Sequence, residues 1–184
     1  MHFSSLFSSA ALLALASASV LPLTQRDNCI PAVTAHQIVD DFIKTLTEFD
    51  EKNAQNLLAD AHFSDTSSSI NFFTGAPLDG YTFPNKTAFI GGQGAQPPVD
   101  VKLIKMDSVT CDGIIAFRWV ANFDKTIAKG INILYTKLVG TDPNVVGPKG
   151  YQIQTIFSEF NSATWNIGFG GTTTPPQQSA VLKM

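Results

Sequence analysis

Apolar and polar positions follow two different periods along this chain, and the change of period divides it. Ile38, Phe42, Leu46 and Phe49 recur at helical spacing, which predicts a first helix over 34–48. Thr34 with Gln37 reads as its capping box, and Val33 as a staple onto Ile38. Asp50 reads as the cap of a second short helix that buries Ala54, Leu57, Leu58 and Ala61. A break at Asp60 leads into Phe63-Ser64-Asp65, a short strand or irregular segment. Ser67-Ser68-Ser69, Gly75, Pro77 and Gly80 make 65–82 read as a loop. A third short helix is predicted over 84–91, opened by Pro84 or Asn85 and closed by Gly91-Gly92.

From Val99 onward the period becomes two. Val99 to Cys111, Ile114 to Phe123, Ile131 to Val139 and Tyr151 to Phe160 read as strands, with Asp112-Gly113 as a hairpin turn and Gly140 to Gly150 as a turn-rich loop. Three short helices followed by an antiparallel meander predict an α+β domain whose helices cover one face of a curved sheet.

The ends of the chain read differently from its middle. An apolar run from Leu6 to Ala16 followed by Ala16-Ser17-Ala18 makes residues 1–18 a secretory signal peptide, too short to span a bilayer. Arg26 marks a candidate second cut, so 19–28 reads as a pro-segment or linker. Residues 29–168 are the domain, and 169–184 read as a disordered polar tail. The expectation is a secreted, extracellular, soluble protein. Composition agrees with a packed globule: 44% of residues are apolar and only 15% charged. Fourteen Phe against three Tyr and two Trp predict a strongly apolar interior that can also line a pocket. A net charge of −3 without a basic run argues against nucleic acid and anionic membranes as partners.

Two cysteines, Cys29 and Cys111, read as a disulfide in an exported chain. Closing that interval would stabilise the fold by about 4.5 kcal/mol in the chain-entropy model, and would pin the segment before the first helix onto a strand. A metal pair or a redox pair is the alternative, although the former needs further ligands and the latter usually has C-x-x-C spacing. Asn85-Lys86-Thr87 is an N-glycosylation sequon, and Asn85 is also a candidate helix cap.

The element order resembles the cone-shaped nuclear-transport-factor-2-like fold, shared by SnoaL-type cyclases, ketosteroid isomerase and scytalone dehydratase. More specifically it resembles a group of small secreted fungal proteins. The resemblance rests on Leu57-Leu58-Ala59-Asp60, Ser69-Ile70-Asn71-Phe72, Thr82-Phe83-Pro84, and Ala88-Phe89-Ile90 with Gly92-Gln93-Gly94. It continues in Phe117-Arg118-Trp119, Gly130-Ile131-Asn132-Ile133 and Ser158-Glu159-Phe160-Asn161-Ser162-Ala163-Thr164-Trp165, and covers about residues 29–167. The resemblance implies a cavity between sheet and helices. It implies no chemistry, because the fold hosts enzymes, binders and purely protein-binding members.

Polar residues within the strands supply the candidate chemistry. If Arg118 and Glu159 face the concave side together with Asn132, a guanidinium, a carboxylate and an amide converge in an apolar cavity. Glu159, with Arg118 beside it, would then serve as a general base or bind a polar substrate group. The competing reading is a structural ion pair that needs no ligand. His62 and Asp65 flank Phe63 where scytalone dehydratase lines its active site, but the later strands hold no histidine, so a two-histidine dehydration site is not supported. His62 itself reads more readily as a capping or half-buried residue than as a base. Phe83, Phe89, Phe117 and Trp119 complete the candidate ligand contacts, with core packing as their other reading. No cofactor is expected and metal ligands do not cluster. Three functions follow: binding of a small lipophilic molecule, cofactor-independent lyase, isomerase or cyclase chemistry on a polyketide- or terpene-like substrate, or a non-catalytic extracellular interaction protein. Homodimerisation is expected to use the outer sheet face.

Overall fold

The computed structural model describes residues 29–140, 142 and 147–173. The expected leader, the 19–28 segment with Arg26, and the tail beyond 173 lie outside the described residues. Helix α1 (Ala32–Thr47) and the seven-residue α2 (Glu51–Leu57) come first. Strand β1 (Ser64–Thr66), α3 (Ser68–Thr74) and α4 (Lys86–Ala95) follow. The long strands are β2 (Asp100–Val109), β3 (Ile114–Asn122), β4 (Ile127–Leu138) and β5 (Tyr151–Phe160), and α5 (Ser162–Gly168) closes the domain. The α+β class and the curved sheet are as expected.

The sheet runs β1-β5-β4-β3-β2. Its long strands are antiparallel, whereas β1 lies parallel to β5, so the sheet is mixed rather than wholly antiparallel. The pairing brings Phe117, Asn132 and Ser158 into one inward row, and Trp119, Gly130 and Phe160 into the next. One residue out of phase, Arg118, Ile131 and Glu159 form an outward row. The core lies between the inward rows and α1, with Val39, Ile115, Leu134, Ile153 and Ile156 fully buried. Gly130 is needed there because any Cβ would come within 2.3 Å of the Trp119 ring that crosses β4.

Several boundaries differ from expectation for identifiable reasons. Helix α1 starts two residues early, after Pro31, whose carbonyl accepts the Ala35 N–H at 3.0 Å. Thr34 therefore turns into the core and makes no capping box, and Val33 is exposed instead of stapled. Asp50 does cap α2, accepting from Asn53 N at 2.6 Å, but Ala61 faces solvent. Within the supposed 65–82 loop, Ser67 caps α3 through Ile70 N at 3.1 Å, and the left-handed Gly75 ends it. Helix α4 runs through its glycines to Ala95, because Gly92 and Gly94 let the Phe83 and Phe49 rings lie against its backbone.

Cys29 and Cys111 are disulfide-bonded, but Cys111 sits in the β2–β3 turn and not on a strand. The bond ties the segment before α1 to that hairpin. Residues 169–173, read as the start of a tail, fold back instead. Phe169 packs edge-on against Phe123, and the Asn166 amide donates to the Thr172 carbonyl at 3.1 Å.

Candidate functional site

The helices and the inner side of the sheet enclose a recess of about 300 Å³, at the lower end of the roughly 300–1,000 Å³ usual for small-molecule sites. Its wall is aromatic: Phe42 comes from α1, Phe73 from α3, Phe89 from α4, Trp119 from β3, Phe160 from β5 and Trp165 from α5. These rings already hold one another, with Phe83 edge-on to Phe89 at 5.4 Å and Phe160 against Trp165 at 4.9 Å. A wider cleft of about 670 Å³ between α1, α2 and Gly147–Gly150 is open and lined mainly by polar surface side chains.

Asp65 supplies the one ionisable side chain in the recess wall. Strand β1 carries it between β5 and the Phe83 segment, and its main chain is fully engaged there. The Asp65 N–H donates to the Phe83 carbonyl at 2.9 Å, and the Thr82 N–H donates back at 2.9 Å. The side chain is only 2% exposed, and its Oδ1 has no partner among the described residues. Burial without a countercharge pushes this carboxyl from 3.8 up to about 7. Two further orphaned atoms belong to the same wall: Gln93 Oε1 on α4 and Gln96 Nε2 at its C-cap. Buried polar atoms are almost always paired, so three unpaired ones in the wall of one apolar recess are an unusual grouping.

Asn132 also borders the recess, but its amide is committed. It accepts from the Trp119 indole N–H at 2.5 Å and donates to the Ser158 hydroxyl. It therefore orients the Trp119 ring that forms the wall. Phe83, Phe89 and Trp119 line the recess as expected. Phe117 does not. It is fully buried one row away, edge-on to Phe42 at 6.0 Å.

Arg118 and Glu159 do not meet in a cavity, and this corrects the sequence expectation. Arg118 points out from the sheet and grips Asp107 with two hydrogen bonds of 2.7 and 2.9 Å. That contact lowers the Asp107 pKa. Glu159 also sits on the outward row. Its carboxylate accepts from Ser68 N at 2.8 Å, Ser69 N at 3.1 Å and the Ser69 hydroxyl at 2.5 Å, which anchors the start of α3. The half-period assigned to the concave side was the wrong one. A register shift between Tyr135 and Thr136 also breaks the alternation within β5, so that Ile153 is buried whereas Phe157, of the same parity, is exposed. His62 is exposed at a left-handed backbone position (φ 64°) outside the recess. Asn85 caps α4 through its Oδ1, accepting from Ala88 N at 2.9 Å. Asn85 is exposed and a glycan would use its Nδ2, so cap and glycan do not compete for one atom.

Among the described residues no group of three or more His, Cys, Asp or Glu could hold a metal ion, and no helix is long and apolar enough to cross a membrane. Sequence reasoning missed Gln93 and Gln96, since a glutamine in a glycine-rich helix carries no signal of facing inward. Trp165 was missed as a wall residue because α5 was not foreseen.

A family model described as an NTF2-like domain matches residues 28–172. No curated protein matches the chain. Solved structures share the fold at low identity. One is a protein with a ketosteroid isomerase-like fold from Catenulispora acidiphila, in complex with trimethylamine. It has 14% identity and a TM-score of 0.52, covering 76% of this chain and 98% of that one. A candidate SnoaL-like polyketide cyclase from Shewanella denitrificans has 12% identity and a TM-score of 0.46, covering 74% and 96%. A phenazine biosynthesis-related protein from Pseudomonas aeruginosa has 9% identity and a TM-score of 0.44, covering 85% and 98%.

Proposed function

This chain belongs to the NTF2-like domain family, and from that premise we propose that its aromatic recess binds a small, largely apolar molecule through one polar group placed at Asp65. The carrying observation is the buried Oδ1 of Asp65, unpaired in an aromatic wall beside the unpaired Gln93 and Gln96 atoms. The aromatic wall supplies apolar contact, and the three polar atoms supply orientation. The ketosteroid isomerase-like neighbour with trimethylamine is a ligand-bearing precedent on this fold. We further propose that the chain is secreted after loss of residues 1–18, carries a glycan at Asn85, and forms a homodimer through its outer sheet face.

A second reading, lyase or isomerase chemistry, is favoured by one observation. A carboxyl held near 7 in a desolvated recess is poised to take and return a proton at neutral pH. In that reading Asp65, rather than Glu159, is the general base.

Native mass spectrometry of the protein produced by its own host tests the binding reading. A small molecule retained in stoichiometric amount, and lost from Ile70→Trp, which fills the recess from α3, supports it. An empty protein, or retention unchanged in Ile70→Trp, counts against it. For the catalytic reading, Asp65→Asn should remove turnover of the identified ligand while leaving its binding measurable.

A further inference from the structure

The charge balance of the recess narrows the class of molecule it takes. Sixteen residues form the wall, and none of them is Lys, Arg or His. An anionic ligand would therefore meet no countercharge and would face Asp65. Charged and titratable groups on the surrounding elements are engaged or directed elsewhere. Glu159 of β5 holds the start of α3, Lys86 of α4 binds Asp60 and the Gln55 carbonyl, and Asp41 and Lys44 of α1 bind each other. His36, Asp40, Glu48, His62 and Tyr81 are exposed. Among the described residues, none that lines the recess supplies the cation that an ionised Asp65 would need.

Of the three orphaned atoms, Gln93 Oε1 is an acceptor, and Asp65 Oδ1 is one whenever the carboxyl is ionised. They call for a ligand that donates hydrogen bonds. A neutral alcohol offers one donor. A protonated amine offers up to three together with the missing positive charge. The rest of the wall suits such a ligand as well, because aromatic rings attract cations through their faces. Gln96 Nε2, a donor, is served by an oxygen on the same ligand or by water.

We propose that the recess takes a lipophilic organic ammonium ion, its nitrogen set against Asp65 and Gln93 and its apolar substituents packed on the surrounding aromatic rings. This rests on the reading of the recess as a ligand site. Burial that holds the Asp65 carboxyl near 7 adds a signature. An ammonium stabilises the carboxylate, so binding below pH 7 must expel a proton. Affinity then rises about tenfold per pH unit up to about 7 and levels off above it, for an amine that stays protonated throughout.

The two tryptophans of the chain, Trp119 and Trp165, both line the recess, so their fluorescence reports its occupancy. The probes are N,N-dimethylbenzylamine and isobutylbenzene, which have the same shape and differ by a protonated nitrogen in place of a CH group. At pH 8 the amine should bind at least tenfold more tightly. Asp65→Asn should abolish that preference and the pH dependence while keeping isobutylbenzene binding, which also shows that the variant is folded. Equal affinities, or a preference unchanged in Asp65→Asn, would overturn the ammonium assignment and leave the apolar binding site standing. Failure of both probes to bind the parent protein would overturn the binding site and this proposal with it.

Discussion

Asp65 and Glu159 lie near one another on neighbouring parallel strands, yet the two sides of the sheet treat them in opposite ways. Glu159, on the outer side, receives three hydrogen bonds from Ser68 and Ser69 and has access to water. Asp65, on the inner side, is sealed among aromatic rings with Oδ1 unpaired. The outer carboxylate fastens a helix, and the inner one is held in reserve. The same division runs across the whole sheet. Inward rows end in close packing or in the recess, whereas the outward row of Arg118, Ile131 and Glu159 is exposed. An ionisable group kept where burial penalises its charge, with one oxygen unpaired, is better evidence of function than a charge fully satisfied at the surface.

The contrast can be broken most severely from the inside. Phe89→Ala removes a 1%-exposed ring that touches Phe42, Phe63 and Phe83, and should destabilise the fold by about 3–5 kcal/mol in denaturant titration. Phe157→Ala on the outer side loses a half-exposed ring that meets Tyr135 alone among the aromatic pairs, and should cost about 1 kcal/mol or less. Comparable losses would mean that the outer face is also buried in solution.

A second test uses the raised pKa of Asp65. Between pH 3.8 and about 7 the native protein keeps a proton that the unfolded chain has lost, so this group makes stability fall as pH rises through that window. At 1.36 kcal/mol per unit the full shift corresponds to about 4 kcal/mol at most. Asp65→Asn should therefore raise stability by about 2–4 kcal/mol at pH 8, have no such effect below pH 3.8, and flatten this part of the profile. A parent profile without that slope would show that the carboxyl is ionised and paired in the free protein.

The smallest effects belong to the outer groups. Glu159→Gln weakens charge-assisted bonds to the start of α3 and should cost about 1 kcal/mol, with faster amide exchange confined to α3. Arg118→Gln loses an exposed contact with Asp107 and should leave the melting temperature unchanged within error. Neither should alter the ligand affinity of the recess.

Most of the fold was legible because its signals are local. The helical spacing of Ile38, Phe42 and Leu46, the caps at Asp50 and Asn85, and the alternation of the strands each reflect interactions within a few residues. Short α3 and α5 escaped because seven residues carry too little periodicity, and tertiary contacts stabilise them: Glu159 at the start of α3, and the Trp119–Phe160–Trp165 cluster against α5. Asp65 was singled out because its segment resembles one that lines the active site of scytalone dehydratase, but nothing near it in the chain says that Oδ1 lacks a partner. The face assigned to Arg118 and Glu159 failed because period two fixes which residues share a side and leaves open which side is inward.

The order of elements and the apolar, Phe-rich interior were determined by residues acting on near neighbours or through bulk hydrophobicity, and two cysteines leave a single pairing even at a separation of 82 residues, so the chain alone carried them. Which carboxylate is buried and left unpaired was decided only when β1 came to rest beside β5 and α4 closed over it. Desolvation is a property of everything that surrounds a group, and those surroundings arrive from distant parts of the chain.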